Sequence, residues 1–157
     1  MFLVTTAEES TWDNSKEICY LGEWCRRYSR KKTWEKINSY VVPYHWNNRE
    51  KYNRDYYYLD DVYERSLVQL SNNLDRINYT FKGIDYWRIV VGPWLRFFID
   101  VLFDRYETIH SAYKLGVVDN TWILPYELND WVSDGFKDFF VSIMTTNGII
   151  FCMRNAY

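Results

Sequence analysis

Histidine and cysteine are scarce in this 157-residue chain, with two and three copies respectively. His45 and His110 stand apart with no HxxxH or HExxH spacing, and Cys19, Cys25 and Cys152 make no CxxC pair. Neither a zinc centre nor a disulfide framework is encoded, and an odd set of plain thiols fits the reducing cytosol. Six Gly and three Pro exclude collagen-like, linker-like and Pro-rich recognition chains. No GxSxG elbow, Walker loop or GxGxxG is present, so hydrolase, nucleoside-triphosphatase and dinucleotide-enzyme readings have no motif behind them. Long apolar runs are missing as well. The best one, residues 89–103, is broken by Arg96 and Asp100 and falls short of the roughly 20 residues that cross a bilayer. The start, MFLVTTAEESTW, lacks the basic n-region of a signal peptide. A soluble or membrane-peripheral protein in the cytoplasm is expected, with peripheral contact at the inner membrane compatible with the same features. Charge of one sign is also lacking: 19 basic against 21 acidic residues leave a net of -2, which gives no whole-chain attraction for nucleic acid.

Aromatic side chains fill the space. Eight Trp, 15 Tyr and 9 Phe make a fifth of the sequence, and hydrophobic residues reach 48% against 25% charged, the mix of a globular protein with a sizeable core. Residues 2–6 and 17–21 read as short strands, 22–36 as a helix-compatible stretch, and 39–44 as a third strand closed by Pro43. Strand, helix and strand in that order predict an α/β layer. Tyr52, Tyr56, Leu59, Tyr63, Leu67, Leu70, Leu74 and Ile77 recur at intervals of three and four, which predicts a long amphipathic helix over 48–77 with Glu50, Lys51, Asp55, Asp61, Glu64 and Arg65 facing solvent. Gly92-Pro93 interrupts the next apolar stripe, so a new helix is predicted over 93–114, since proline is tolerated at a first helical position. Residues 117–118 and 122–124 predict a short strand, 128–140 a last helix, and the apolar 148–153 a buried strand. Nothing follows that strand to cover it, so the expectation is either a single α/β domain over 1–157 or the N-terminal part of a longer α/β protein.

His45, in PYHWNNRE just beyond a predicted strand, is either a functional side chain on a rigid scaffold or a turn histidine packed beside Trp46. His110 reads as a helix-surface residue. Glu8, Glu9, Thr11, Trp12 and Asp13 follow the first strand, and Gly22, Glu23 and Trp24 follow the second. Carboxylates there serve as general bases or hold sugar hydroxyls, with Glu23 the preferred one, or they cap turns. Arg26, Arg27, Arg30, Lys31, Lys32 and Lys36, interleaved with Tyr28 and Trp34, suit a phosphate, a sugar-phosphate or an anionic membrane face, and equally a solvated helix surface.

The blocks MFLVTTAEESTW, LGEWCRRYSR, VVPYHWNNREKYNRDYYYLDDVYERSL and YWRIVVGPWLRFFIDVLFDRY, spanning residues 1–109, resemble the N-terminal region of a family of transferases encoded in bacterial O-antigen and other surface-carbohydrate biosynthesis loci. Members are several hundred residues long and similar to glycosyltransferases built from two Rossmann-like halves. The resemblance implies a helix-rich, Rossmann-like N-terminal half acting on a carbohydrate or lipid-linked sugar acceptor. No cofactor is then bound by this portion. The nucleotide-sugar donor would occupy a C-terminal domain beyond Tyr157, without which the chain is expected to be inactive. The family blocks include Glu8, Glu9, Trp12, Glu23, Trp24, Arg26, His45, Trp46, Arg88 and Trp94. Of these, His45 and Glu23 are candidate catalytic bases. Glu8, Trp12, Trp24, Arg26, Trp46, Arg88 and Trp94 are candidate substrate contacts, the tryptophans by stacking on sugar rings. No metal ligand is among them. The competing expectation is a noncatalytic binding or interaction module that presents its aromatic helices to a partner.

Overall fold

A computed structural model of the chain describes residues 1–122, together with Gly135 and Lys137. The helix expected over 128–140 and the strand expected over 148–153, with Cys152, lie essentially outside the described residues. The chain divides into two compact units: Met1–His45 together with the described residues from Asp104 onward, and Trp46–Phe103.

The first unit is built on a four-stranded parallel sheet. Strands β1 (Phe2–Val4), β2 (Ile18–Tyr20), β3 (Ser39–Val41) and β4 (Asn120–Thr121) stand in the order β3-β2-β1-β4. The register pairs Leu3 with Cys19 and Thr121, and Cys19 with Tyr40. All six residues of β1 and β2 are buried while the edge strands are partly exposed, as expected where a parallel sheet is covered on both faces. This is an α/β, Rossmann-like arrangement, with the strand order reversing at β1. Trp12, Leu21, Cys25, Val42 and Ala112 join the central strands in one core, with Ile109 and Val118 packed against it. The short strand near 120 takes the polar Asn120-Thr121 pair rather than the flanking apolar residues. Val118 is drawn to the core, and the Thr121 hydroxyl donates to the Leu3 carbonyl at 2.8 Å.

The stretch 22–36 is not one helix. It folds as 3-10 turns at Glu23–Cys25 and Tyr28–Arg30, followed by the four-residue α1 (Lys31–Trp34). Contacts within the segment fold it on itself: the Arg26 guanidinium lies 4.8 Å from the Trp34 ring centroid and the Trp34 indole N–H donates to the Arg27 carbonyl at 2.8 Å.

In the second unit the long helix is α2 (Arg49–Ile77), capped by the Asn48 side chain accepting from the Lys51 amide, and it is followed by α3 (Gly83–Val90). The inward line of α2 differs from the sequence expectation. Asp55, Leu59, Leu67 and Ser71 are buried, whereas Tyr52, Tyr56 and Ile77 are exposed. Asp55 was expected on the solvent face. It is tolerated inside because the Trp46 indole N–H donates to it at 3.0 Å and the Lys51 ammonium pairs with it, satisfying a carboxylate that burial alone would penalise. At the α2–α3 turn the Asp75 carboxylate accepts from Trp87 Nε1, Thr80 Oγ1 and the Lys82 and Gly83 amides at 2.9 to 3.1 Å. Helix α4 (Gly92–Lys114) begins at the Gly-Pro step as expected. No described helix is long and apolar enough to cross a membrane.

Candidate functional site

Because the four strands are parallel, their carboxyl ends open on one edge of the sheet, where ligands of α/β folds gather. β2 runs into Gly22 and the turn Glu23–Cys25, and β3 runs into Tyr44 and His45. From α4, Asp104 and Arg105 reach the same group of residues. His45 Nε2 lies 3.1 Å from Asp104 Oδ1, and Arg105 Nη1 donates to Asp104 Oδ2 at 2.9 Å. The Arg105 guanidinium in turn lies 5.3 Å from the Trp24 ring centroid. A continuous set of contacts therefore joins the end of β3 to the end of β2 through Asp104 and Arg105.

The electrostatics of Asp104 settle which atom carries the proton. Burial raises its carboxyl, but the hydrogen bond to His45, the Arg105 charge and the Tyr44 hydroxyl together outweigh burial and hold it below the usual carboxylate range. An ionised carboxylate only accepts, so Nε2 of His45 is the donor. In the neutral ring Nδ1 then bears the lone pair, and that atom is buried. The His45 side chain is 2% exposed and Asp104 15%, so the ion-dipole contact is only lightly screened.

Trp24 owes its place to Gly22, whose backbone is extended. A Cβ on Gly22 would meet the Trp24 ring at 2.2 Å, so only glycine lets the indole lie flat against the strand end. Next to it, the Cys25 thiol donates to the Val4 carbonyl at 3.4 Å, and burial pushes it up to about 12. This thiol is inert and structural.

The remaining sequence candidates fall in different places. Glu23 is 76% exposed on its side chain and paired with Arg26. Arg26 also stacks between Tyr20 and Trp34. Trp12 is a core residue, its ring edge-on to Tyr20 at 5.2 Å and its indole N–H donating to the Thr6 carbonyl. Glu8 is exposed and accepts from Ser10, while Glu9 is held by a two-point contact from Arg30 at 2.7 and 2.8 Å. Arg27, Lys31, Lys32 and Lys36 are exposed, with Lys31 loosely paired to Glu35. Trp46, Arg88 and Trp94 belong to the second unit. There Trp46 stacks on Phe103 and serves Asp55, Arg88 grips Glu64 at 2.6 and 2.8 Å, and Trp94 stacks on Phe98. The structure thus brings together His45 and Trp24 of the predicted residues, through Asp104 and Arg105, and separately pairs Arg26 with Glu23. Asp104, Arg105 and Tyr20 were not anticipated. Asp104 has a sequence signal in retrospect, because it begins the inward line Asp104, Thr108, Ala112 of α4, an acidic residue at helical spacing from two buried positions. Among the described residues no three His, Cys, Asp or Glu side chains gather to hold a metal ion.

A family model described as LIC12162 family transferase matches residues 1–153. No curated protein and no solved structure matches the chain.

Proposed function

This chain belongs to the LIC12162 family of transferases, and on that premise we propose that it serves glycosyl transfer to a hydroxyl of a carbohydrate or lipid-linked acceptor in surface-polysaccharide synthesis of the O-antigen type. The observation that carries this reading is the His45–Asp104 pair at the carboxyl end of β3, 3.1 Å apart. A sugar hydroxyl is a poor nucleophile until a base takes its proton. Asp104 fixes the imidazole so that Nδ1 is the accepting atom. As the proton moves to Nδ1, the acceptor oxygen bonds to the anomeric carbon. The bond from that carbon to the donor phosphate breaks, and the electron pair leaves with the phosphate. Glu23 is the weaker base candidate because Arg26 already engages it. The exposed Tyr44 offers an aromatic face to a sugar ring, while the Trp24 ring is taken up by Gly22 and Arg105.

On this reading the chain is the acceptor-side half, working at the cytoplasmic face of the inner membrane, and a nucleotide-sugar half completes the enzyme. Transfer is therefore expected of the intact gene product. The test is a panel of nucleotide sugars presented to that product with and without carbohydrate acceptors. Acceptor-dependent release of nucleotide supports the reading, and its absence across the panel overturns it. The second reading, an interaction module, rests on the exposed aromatic and aliphatic residues of the second unit, among them Tyr57 and Ile89. It takes over if no acceptor-dependent transfer is found.

A further inference from the structure

Four buried hydrogen-bond donors of the first unit meet no acceptor among the described residues: the Tyr20 hydroxyl, the Trp24 indole N–H, and the Nε–H groups of Arg26 and Arg105. Each such group carries an uncompensated desolvation cost, which a native protein tolerates chiefly where a ligand answers it. The four form two pairs, the Arg26 guanidinium 5.8 Å from the Tyr20 ring centroid and Arg105 5.3 Å from that of Trp24, and the charges of both guanidiniums reach the Cys25 thiol. Tyr20 itself is 0% exposed, and burial pushes its phenol up to about 12, so it stays an O–H donor at neutral pH.

A ligand that meets these four donors is rich in acceptors, and an anionic one competes with Glu23 and Asp104, which pair with the two guanidiniums in its absence. A phosphoryl group offers oxygens in tetrahedral directions, able to meet donors from several side chains at once, whereas the acceptor positions of a carboxylate lie in one plane. We propose that Tyr20, Trp24 and Arg26, at the carboxyl end of β2, and Arg105 of α4 form a phosphoryl-binding subsite. The nearby acids do not block it. Asp104 is shared with His45, Glu9 is gripped by Arg30, and Glu23 is exposed enough to swing off Arg26 when the anion arrives. Glu23 thereby acts as a place-holder for the ligand. The subsite deepens the transfer reading and rests on it for its purpose, because it would hold the phosphate of either the donor or a phosphate-linked acceptor beside the base.

The experiment is calorimetric titration of the intact protein with inorganic pyrophosphate. Saturable binding is expected, weakened about tenfold or more in Arg26→Gln and Trp24→Phe, as for the loss of a charge-assisted or buried donor. Glu23→Gln binds pyrophosphate more tightly than wild type. Tyr20→Phe keeps the ring and removes the unmet hydroxyl, so the ligand-free variant melts at a higher temperature while its affinity falls. No saturable binding, or equal affinity in wild type and all four variants, overturns the proposal. Comparing a nucleoside diphosphate with farnesyl diphosphate then identifies the source, the tighter ligand marking a donor or an acceptor site. Pyrophosphate binding is read without turnover, so failure of the subsite and failure of the base assignment are separate results.

Discussion

Asp104 and His45, 59 positions apart in sequence, meet at 3.1 Å in a nearly dry setting. The Asp104 carboxyl titrates lower in the folded chain than in the unfolded one. Its contribution to stability is therefore fully present above the unfolded value of about 3.9 and is lost as pH falls through the lower folded value. Asp104→Asn should cost about 2 kcal/mol at neutral pH, the loss expected for a buried charge-assisted contact. It should also flatten the dependence of stability on pH below about 4. Urea unfolding of both proteins at neutral and acidic pH checks this, and an unchanged midpoint at neutral pH would contradict it.

Gly22→Ala forces a Cβ into the Trp24 ring, which it would approach to 2.2 Å. The indole must leave the strand end, taking the Arg105 stack with it, at a cost of about 1–3 kcal/mol for an overpacked site. Near-ultraviolet circular dichroism should show the lost aromatic environment, and the melting temperature should fall. A variant with the wild-type spectrum and stability would show that the ring has room to spare.

At the α2–α3 turn, four donors bind Asp75, and they hold its carboxyl down to about 2, with the Trp87 indole the largest cause and the Gly83 and Lys82 amides and Thr80 adding to it. The stabilisation is present above the unfolded carboxylate range and is lost as pH falls towards 2. Asp75→Asn should lower the melting temperature at pH 7 and have little effect at the lowest pH where the protein stays folded. A variant with the wild-type melting temperature at pH 7 would contradict this role.

Cys19 and Cys25 are both buried free thiols, and burial raises both, Cys25 to about 12. Since the thiolate is the reacting species, peptides carrying them should stay unmodified by iodoacetamide at pH 8 in the native protein and label fully in urea. Mass spectrometry of the digested protein reads each site separately, and rapid native labelling of Cys25 would contradict the packed thiol.

Local signals were enough for an α/β layer and the long helices, whereas the parallel pairing of the strands is seen only in the structure. The β-prone run at residues 2–6 marked a strand, and the three-and-four spacing from residue 52 onward marked α2. What that spacing could not give was the phase of the helix: Asp55 is inward while Tyr52 and Tyr56 are exposed, because Trp46 and Lys51 satisfy its carboxylate, which apolar spacing alone does not register. The stretch 22–36 is helix-compatible by propensity, but side-chain contacts within it, such as the Arg26–Trp34 stack, accompany a chain of short turns instead. His45 was visible from its place after a strand. Its partner was not, because pairing across so many residues is set by the docking of α4 on the sheet. Tyr20 read as one more core aromatic, and only the surroundings of its hydroxyl set it apart.

The most direct measurement is turnover of the intact gene product at saturating donor and acceptor, with His45→Gln and Glu23→Gln compared in the same assay. With His45 as the base, His45→Gln should lose about 10²–10⁴-fold, the span attributed to general-base catalysis, while Glu23→Gln stays within a few fold of wild type. Turnover retained in His45→Gln and lost in Glu23→Gln would contradict the assignment.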